Sequence, residues 1–146
     1  FACLMTTLSR HKILEKLERF QEYLGYLRQL QKEAKDERTF IADFHLFGNT
    51  ERYLQLCIQS INDVVTLIII DLGLQRPDDQ YEAISILFAK GIFSQDLASK
   101  LTQMVGLRNI LVHEYGKIDR KKVYDILAHR LEDLAEFQRQ TKKFLK

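Results

Sequence analysis

Leu54, Ile58, Ile61, Val65, Ile68 and Leu72 recur at alternating intervals of four and three residues. That rhythm draws one stripe along an α-helix. Tyr53, Cys57 and Val64 lay a second apolar stripe beside it, so much of the helix circumference has to be covered. A helix so widely apolar is either the centre of a bundle or a surface shared with another subunit.

The rest of the chain offers helices to cover it. Ile13, Leu17, Phe20, Leu24 and Leu27 repeat the spacing in a first helix expected from about Ser9 to Lys32. A shorter segment, "DERTFIADFH", follows and ends near Gly48. Asn49 or Thr50 is then expected to cap the long apolar helix, which Gly73 stops. A Pro-containing turn leads to Asp79, with Glu82 three residues on as in a capping box, and that short helix ends at Gly91. Ser94 opens a further helix that Gly116 stops. Asp119 caps a terminal helix turning Tyr124, Leu127, Leu131, Leu134 and Phe137 inward. One Pro and six Gly leave few helix breakers, and there are no repeats or long linkers. The expectation is an all-α, single-domain, up-and-down-type bundle of five or six helices over residues 5–146. Residues 1–4 look like extra residues ahead of a natural start at Met5. A chain of 146 residues buries a core without metal or disulfide staples.

Composition narrows the chemistry. The cysteines Cys3 and Cys57 supply neither a disulfide framework nor a metal-ligand spacing. Cys57 falls within an apolar pattern and is expected to be a buried, reduced thiol in a cytoplasmic protein. "FACLM" lacks the charged start and long apolar run of a signal peptide. "VVTLIII", bracketed by Asp63 and Asp71, is far shorter than the ~20 residues that span a bilayer, so no membrane partner is expected. The net charge of +2 is uneven: residues 117–146 hold nine Lys/Arg against five Asp/Glu, and the remainder thirteen against fifteen. A basic terminal segment either meets phosphates or is a solvated helix face.

Polar chemistry concentrates in "GLRNILVHEYGKID", residues 106–119. Leu97, Leu101, Met104, Arg108, Leu111 and Tyr115 share a stripe, and Arg108 stands where the stripe asks for Leu. An unpaired buried guanidinium is costly, so Arg108 is expected to face a cleft, a carboxylate or a second subunit. Asn109 and His113 are four apart and neighbours on an adjoining face. Arg108 and His113 are turned by ~140° about the axis, able to grip opposite sides of a ligand. The negative end of the helix dipole favours an imidazolium at His113. Such a pair handles phosphate: His moves a proton and Arg holds the phosphate by paired hydrogen bonds. Neither a Gly-rich phosphate loop nor a metal-site spacing accompanies it, so no metal or cofactor is expected. His11, His45 and His129 lack such company and read as surface or helix-end residues. Arginine–carboxylate pairs and polar caps are also common at helix ends, and on these residues alone both readings stand.

"RNILVHEY" resembles the Arg-x4-His-x-Tyr signature of the HepT toxins, a branch of the HEPN domain superfamily. "ERYLQLCIQSINDV" is similar to that family's long central helix. "YEAISILFAKGIFSQDLASKLTQMVGLRN" resembles its following helix pair, and "IDRKKVYDIL" its last helix. The resemblance spans roughly residues 50–130 in consistent order. It implies a homodimeric helical bundle, metal-independent RNA cleavage, and a nucleotidyltransferase antitoxin of the MntA type as partner. By the same resemblance Arg108 and His113 are the catalytic pair, Asn109 helps shape the site, and Tyr115 matches the tyrosine that the antitoxin modifies with AMP.

Physical chemistry is compatible with that picture. Metal-free cleavage uses the RNA 2′-hydroxyl as nucleophile, one group to remove a proton and another to return one. Two motifs facing each other across a two-fold axis supply two His and two Arg, and the apolar helix over residues 50–72 offers a surface for the dimer. Asp63, a carboxylate on that helix, is expected to pair with Arg108 or support the site; a solvated exterior position is the alternative. Arg52 and Tyr53 begin the same helix and are candidates for lining the cleft or contacting RNA. Two rivals keep the same bundle: a non-catalytic RNA-, nucleotide- or partner-binding dimer associated with a nucleotidyltransferase, and a purely structural dimerisation module.

Overall fold

Thr6 opens the first helix, its hydroxyl accepting the Ser9 amide at 3.1 Å. The computed structural model describes residues 5–113 and 119–146, with 109–113 as backbone only. Among the described residues there are seven helices and no strand: α1 (Thr7–Glu33), α2 (Glu37–Ala42), α3 (Phe44–Asp71), α4 (Gln80–Ala89), α5 (Gln95–His113), α6 (Arg120–His129) and α7 (Leu131–Leu145).

The four long helices form an up-down-up-down bundle, α1 touching α3 and α7, and α5 touching α3 and α7. Cross-contacts fix the directions. Asp71 at the end of α3 accepts hydrogen bonds from the Thr6 amide (2.9 Å) and the Ser9 hydroxyl (2.7 Å) at the start of α1. Lys16 meets Asp63, and Tyr23 stacks on Tyr53, so α1 and α3 run antiparallel. Gln21 pairs with Gln138 and Arg28 with Glu132, which sets α7 against α1. Ser94 binds Gln140, and Gln103 binds Arg130, which sets α5 against α7. The short α4 packs on α3 and α5, and α6 on α2, α3 and α1.

Helix α3 is the central member, touching α1, α2, α4, α5 and α6. Leu54, Cys57, Ile58, Ile61, Val64, Val65 and Ile68 are all buried, as the double stripe requires. By length and composition α3 is long and apolar enough to cross a membrane, a wider apolar stretch than "VVTLIII" alone, yet half of its most apolar window is buried within this bundle. Burial pushes the Cys57 thiol up to about 12, away from the reactive thiolate. Cys3 lies outside the described residues.

Two boundaries differ from the sequence expectation. Helix α3 begins at Phe44, not at Asn49 or Thr50, because the Asp43 carboxylate accepts the amides of His45 (3.0 Å) and Leu46 (3.3 Å). Thr50 is consequently buried inside the helix. The expected terminal helix is two, broken at Arg130 (φ −117°, ψ 5°). Arg130 turns its guanidinium to Asp133 (2.6 Å) and Gln103 (2.9 Å), pinning the bend while α6 leaves toward α2. The stops expected at Gly73 and Gly91 hold, with positive φ of 65° and 76° after α3 and α4, and the stop expected at Gly116 lies outside the described residues. The amide of Glu82 binds Asp79, and the Glu82 carboxylate binds the Asp78 amide, each at 2.8 Å.

Gly25 and Gly48 sit inside α1 and α3, and a Cβ at either meets nothing within 4 Å. Alanine at both positions is expected to stabilise the chain by up to about 1 kcal/mol per site, since glycine loses more backbone freedom in a helix. A thermal melt followed by circular dichroism checks this. A rise of several degrees is expected, and a fall would show that these positions need the missing side chain.

Candidate functional site

Helix α5 carries the motif, and Ser94 starts it, its hydroxyl accepting the Leu97 amide at 3.2 Å. Leu97, Leu101 and Met104 form the buried stripe, each no more than 1% exposed. The stripe then changes character: Leu107 is half-buried and Arg108 is exposed. The guanidinium thus avoids the desolvation that its place on the stripe threatened. Asn109 and His113 lie in the last turns of α5, His113 as its final residue. Tyr115, with Glu114 and Gly116, lies outside the described residues.

Asp119 caps α6 by accepting the Lys121 (3.1 Å) and Lys122 (3.3 Å) amides. Arg120 is clamped, its guanidinium donating to the Ile41 carbonyl at 2.7 Å and lying 4.6 Å above the Phe47 ring. Arg120, Lys121 and Lys122 therefore open a helix whose first turn holds no acidic residue. Lys122 and Leu107 line one shallow cavity of about 190 Å³ between α5 and α6, together with Gln103, Asp125 and Arg130. Positive charge thus gathers on the helix that follows Arg108, suited to a phosphate backbone. The sequence marks this segment as basic but does not place Lys122 beside the motif helix.

The other expected residues divide. Arg52 is exposed and Tyr53 half-buried on the N-terminal half of α3, toward the end of the bundle at which Arg108 lies. Tyr53 stacks on Tyr23 (6.2 Å, 29°) and meets Tyr26 (4.9 Å, 43°). Tyr23 and Tyr26 were not expected at a site; their three-residue spacing on α1 was the available signal. The Tyr26 hydroxyl donates to Glu22 at 3.1 Å, and that carboxylate raises its pKa. Asp63 sits elsewhere: Lys16 holds it at 3.3 Å and Gln59 donates to it at 2.9 Å. The pair with Arg108 is not made within this chain. Asp63 is level with Lys16, and Arg28, twelve residues on, is level with the start of α7, so about 18 Å of bundle separates Asp63 from the Arg108 end.

His11 pairs with Glu15 at 3.1 Å on an exposed surface, His45 packs on Phe44, and His129 ends α6. Among the described residues no group of three or more His, Cys, Asp or Glu stands close enough to hold a metal ion.

Comparison with known proteins gives the site a context. The family model described as Ribonuclease HepT-like matches residues 13–141. The tRNA nuclease HepT of Aphanizomenon flos-aquae is 30% identical over 141 residues, covering 97% of this chain and 95% of its own. The mRNA nuclease HepT of Shewanella oneidensis is 30% identical over 111 residues, covering 76% of this chain and 84% of its own. Among solved structures, the tri-AMPylated Shewanella oneidensis HEPN toxin in complex with MNT antitoxin superposes with a TM-score of 0.81 at 27% identity, over 90% of this chain and 96% of that one.

Proposed function

The chain belongs to the HepT-like ribonuclease family, and from that membership we propose that it is a metal-independent endoribonuclease, the toxin of a toxin–antitoxin pair. The observation that carries the reading is the string Arg108-x4-His113-x-Tyr115 at the point where the buried stripe of α5 gives way to an exposed guanidinium. Arg108 binds the scissile phosphate and stabilises the charge that builds on it during attack. His113 exchanges protons with the attacking 2′-hydroxyl and the departing 5′-oxygen. Asn109 helps shape the site. Two copies of the chain bring two motifs to one cleft, so that one imidazole accepts a proton while the other donates one. Arg52 and Tyr53 are candidate RNA contacts, the latter within a three-tyrosine cluster on which a base can stack. Asp63, ion-paired to Lys16, supports the packing of α1 on α3 and leaves Arg108 free for phosphate.

Tyr115 is the switch in this reading. A nucleotidyltransferase antitoxin of the MntA type transfers AMP to its hydroxyl, and the AMP-bearing state of the Shewanella toxin supports this assignment. The attached phosphodiester places negative charge two residues from His113 and bulk where RNA must enter. The setting is the cytoplasm, where RNA, ATP and the partner meet.

The reading is tested by incubating the purified chain with RNA in EDTA. Fragments are expected, and RNA left intact overturns it. Pre-treatment with such an antitoxin and ATP is expected to add mass in AMP-sized steps at Tyr115 and stop cleavage. Tyr115→Phe is expected to remain unmodified there and to keep cutting; inhibition of that variant by the same treatment would refute the switch.

A further inference from the structure

The opposite end of α5 carries a second cationic surface that the motif does not use. A groove of about 700 Å³ lies between the turn before α5 and the last turns of α7. Phe88 and Phe144 form apolar walls, and Lys90, Arg139 and Lys143 bring three cations. The Ser94 amide and the Gln140 side chain close its floor at 2.9 Å. From Arg139 to Lys146 four of the eight residues are Lys or Arg and none is acidic.

Two of the three charges are not consumed internally. Glu136 holds the Arg139 guanidinium through both carboxylate oxygens, which neutralises one cation and orients it. Lys90 and Lys143 are exposed and make no side-chain ion pair among the described residues. Phe88 is 42% exposed on the rim. Unpaired lysines beside an accessible aromatic face match single-stranded nucleic acid, whose phosphates take the cations and whose bases stack on the ring. An acidic peptide uses the charges but leaves the phenyl faces without a planar partner. The surface also lies along the motif helix: fourteen residues of rise separate Ser94 from Arg108, about 20 Å.

We propose that this groove is an RNA-binding exosite that holds the single-stranded backbone about 20 Å from Arg108 and feeds the strand along α5 toward the motif. The exosite rests on the ribonuclease reading above, which it extends from the cut to the capture of substrate. Lys90 and Lys143 contact phosphate, and Phe88 stacks a base.

The test measures binding of a fluorescein-labelled oligouridylate of roughly 12 nucleotides, with cleavage silenced by Arg108→Ala in every protein compared. Adding Lys90→Gln and Lys143→Gln is expected to weaken binding at least about tenfold at low salt. It should also flatten the plot of log affinity against log salt by about 1.4, the value for two lost phosphate contacts on a single strand. Phe88→Ala is expected to weaken binding at least about fivefold with the slope unchanged. Both variants change exposed side chains, and circular dichroism melts matching the parent confirm the fold. A wild-type chain that cuts RNA while the double lysine variant binds as tightly as its parent overturns the exosite alone. A wild-type chain that neither binds nor cuts RNA overturns both readings. Loss of poly-glutamate binding without loss of RNA binding reassigns the groove to an acidic protein partner and overturns the proposal.

Discussion

Arg108→Ala and His113→Ala are each expected to lower RNA cleavage about 10²- to 10⁴-fold while leaving the fold intact. The magnitude follows from the role proposed for each side chain. A donor aimed at charge developing on phosphate contributes about 10²- to 10³-fold, and a positioned proton-transfer group about 10²- to 10⁴-fold. The double variant is expected to be little worse than the weaker single one, because groups acting on one transition state are not additive. Arg108 is exposed, so its removal vacates no core volume and shifts stability by at most about 0.5 kcal/mol. Arg108→Lys keeps the charge but loses the planar fork, and is expected to restore only part of the rate. Initial rates on a defined RNA in EDTA, beside thermal melts, check all of these. Full activity in either alanine variant would remove that residue from the chemistry.

Phe137→Ala is expected to cost about 3–5 kcal/mol of stability. The ring is fully buried on α7, 5.3 Å from Phe20 of α1 and 5.9 Å from Phe93 in the turn before α5. Two helices and the turn before α5 therefore converge on one side chain, and its removal leaves a cavity among them. Against a typical total of 5–15 kcal/mol, that is a large share. Urea unfolding should show a lower midpoint with an unchanged slope. Phe137→Leu keeps most of the volume and is expected to cost far less. A loss under about 1 kcal/mol for the alanine variant would mean that α7 is held by its polar links alone, such as Gln138 to Gln21 and Gln140 to Ser94.

Local chemistry was readable from sequence because local residues decide it. The cap at Asp79, the contact of Glu82 with the Asp78 amide, and the stops at Gly73 and Gly91 each involve residues within a turn of one another. The start of α3 was misplaced because Gly48 and Asn49 imitate a boundary, while Asp43 captures two amides earlier and the helix runs through the glycine. The break at Arg130 was invisible for a different reason. Val123, Leu127, Leu131 and Leu134 keep helical spacing straight across it, so periodicity carries no mark of the bend. Asp63 shows a third limit: a stripe gives the angle of a residue about the helix axis but not its height against a neighbouring helix. Arg108 on its stripe was legible, whereas the groove joining Lys90 to Lys143 depends on α4 and α7 ending side by side.

The central claim, that Arg108 and His113 direct the RNA 2′-hydroxyl onto the adjacent phosphate, is tested most directly by the mass of the upstream fragment. A defined oligoribonucleotide cut in EDTA is expected to yield an upstream fragment ending in a 2′,3′-cyclic phosphate, since the 2′-oxygen displaces the 5′-oxygen of the next nucleotide. An upstream fragment ending in a free 3′-hydroxyl, with phosphate on the downstream piece, would mean that water attacked instead and would contradict the account.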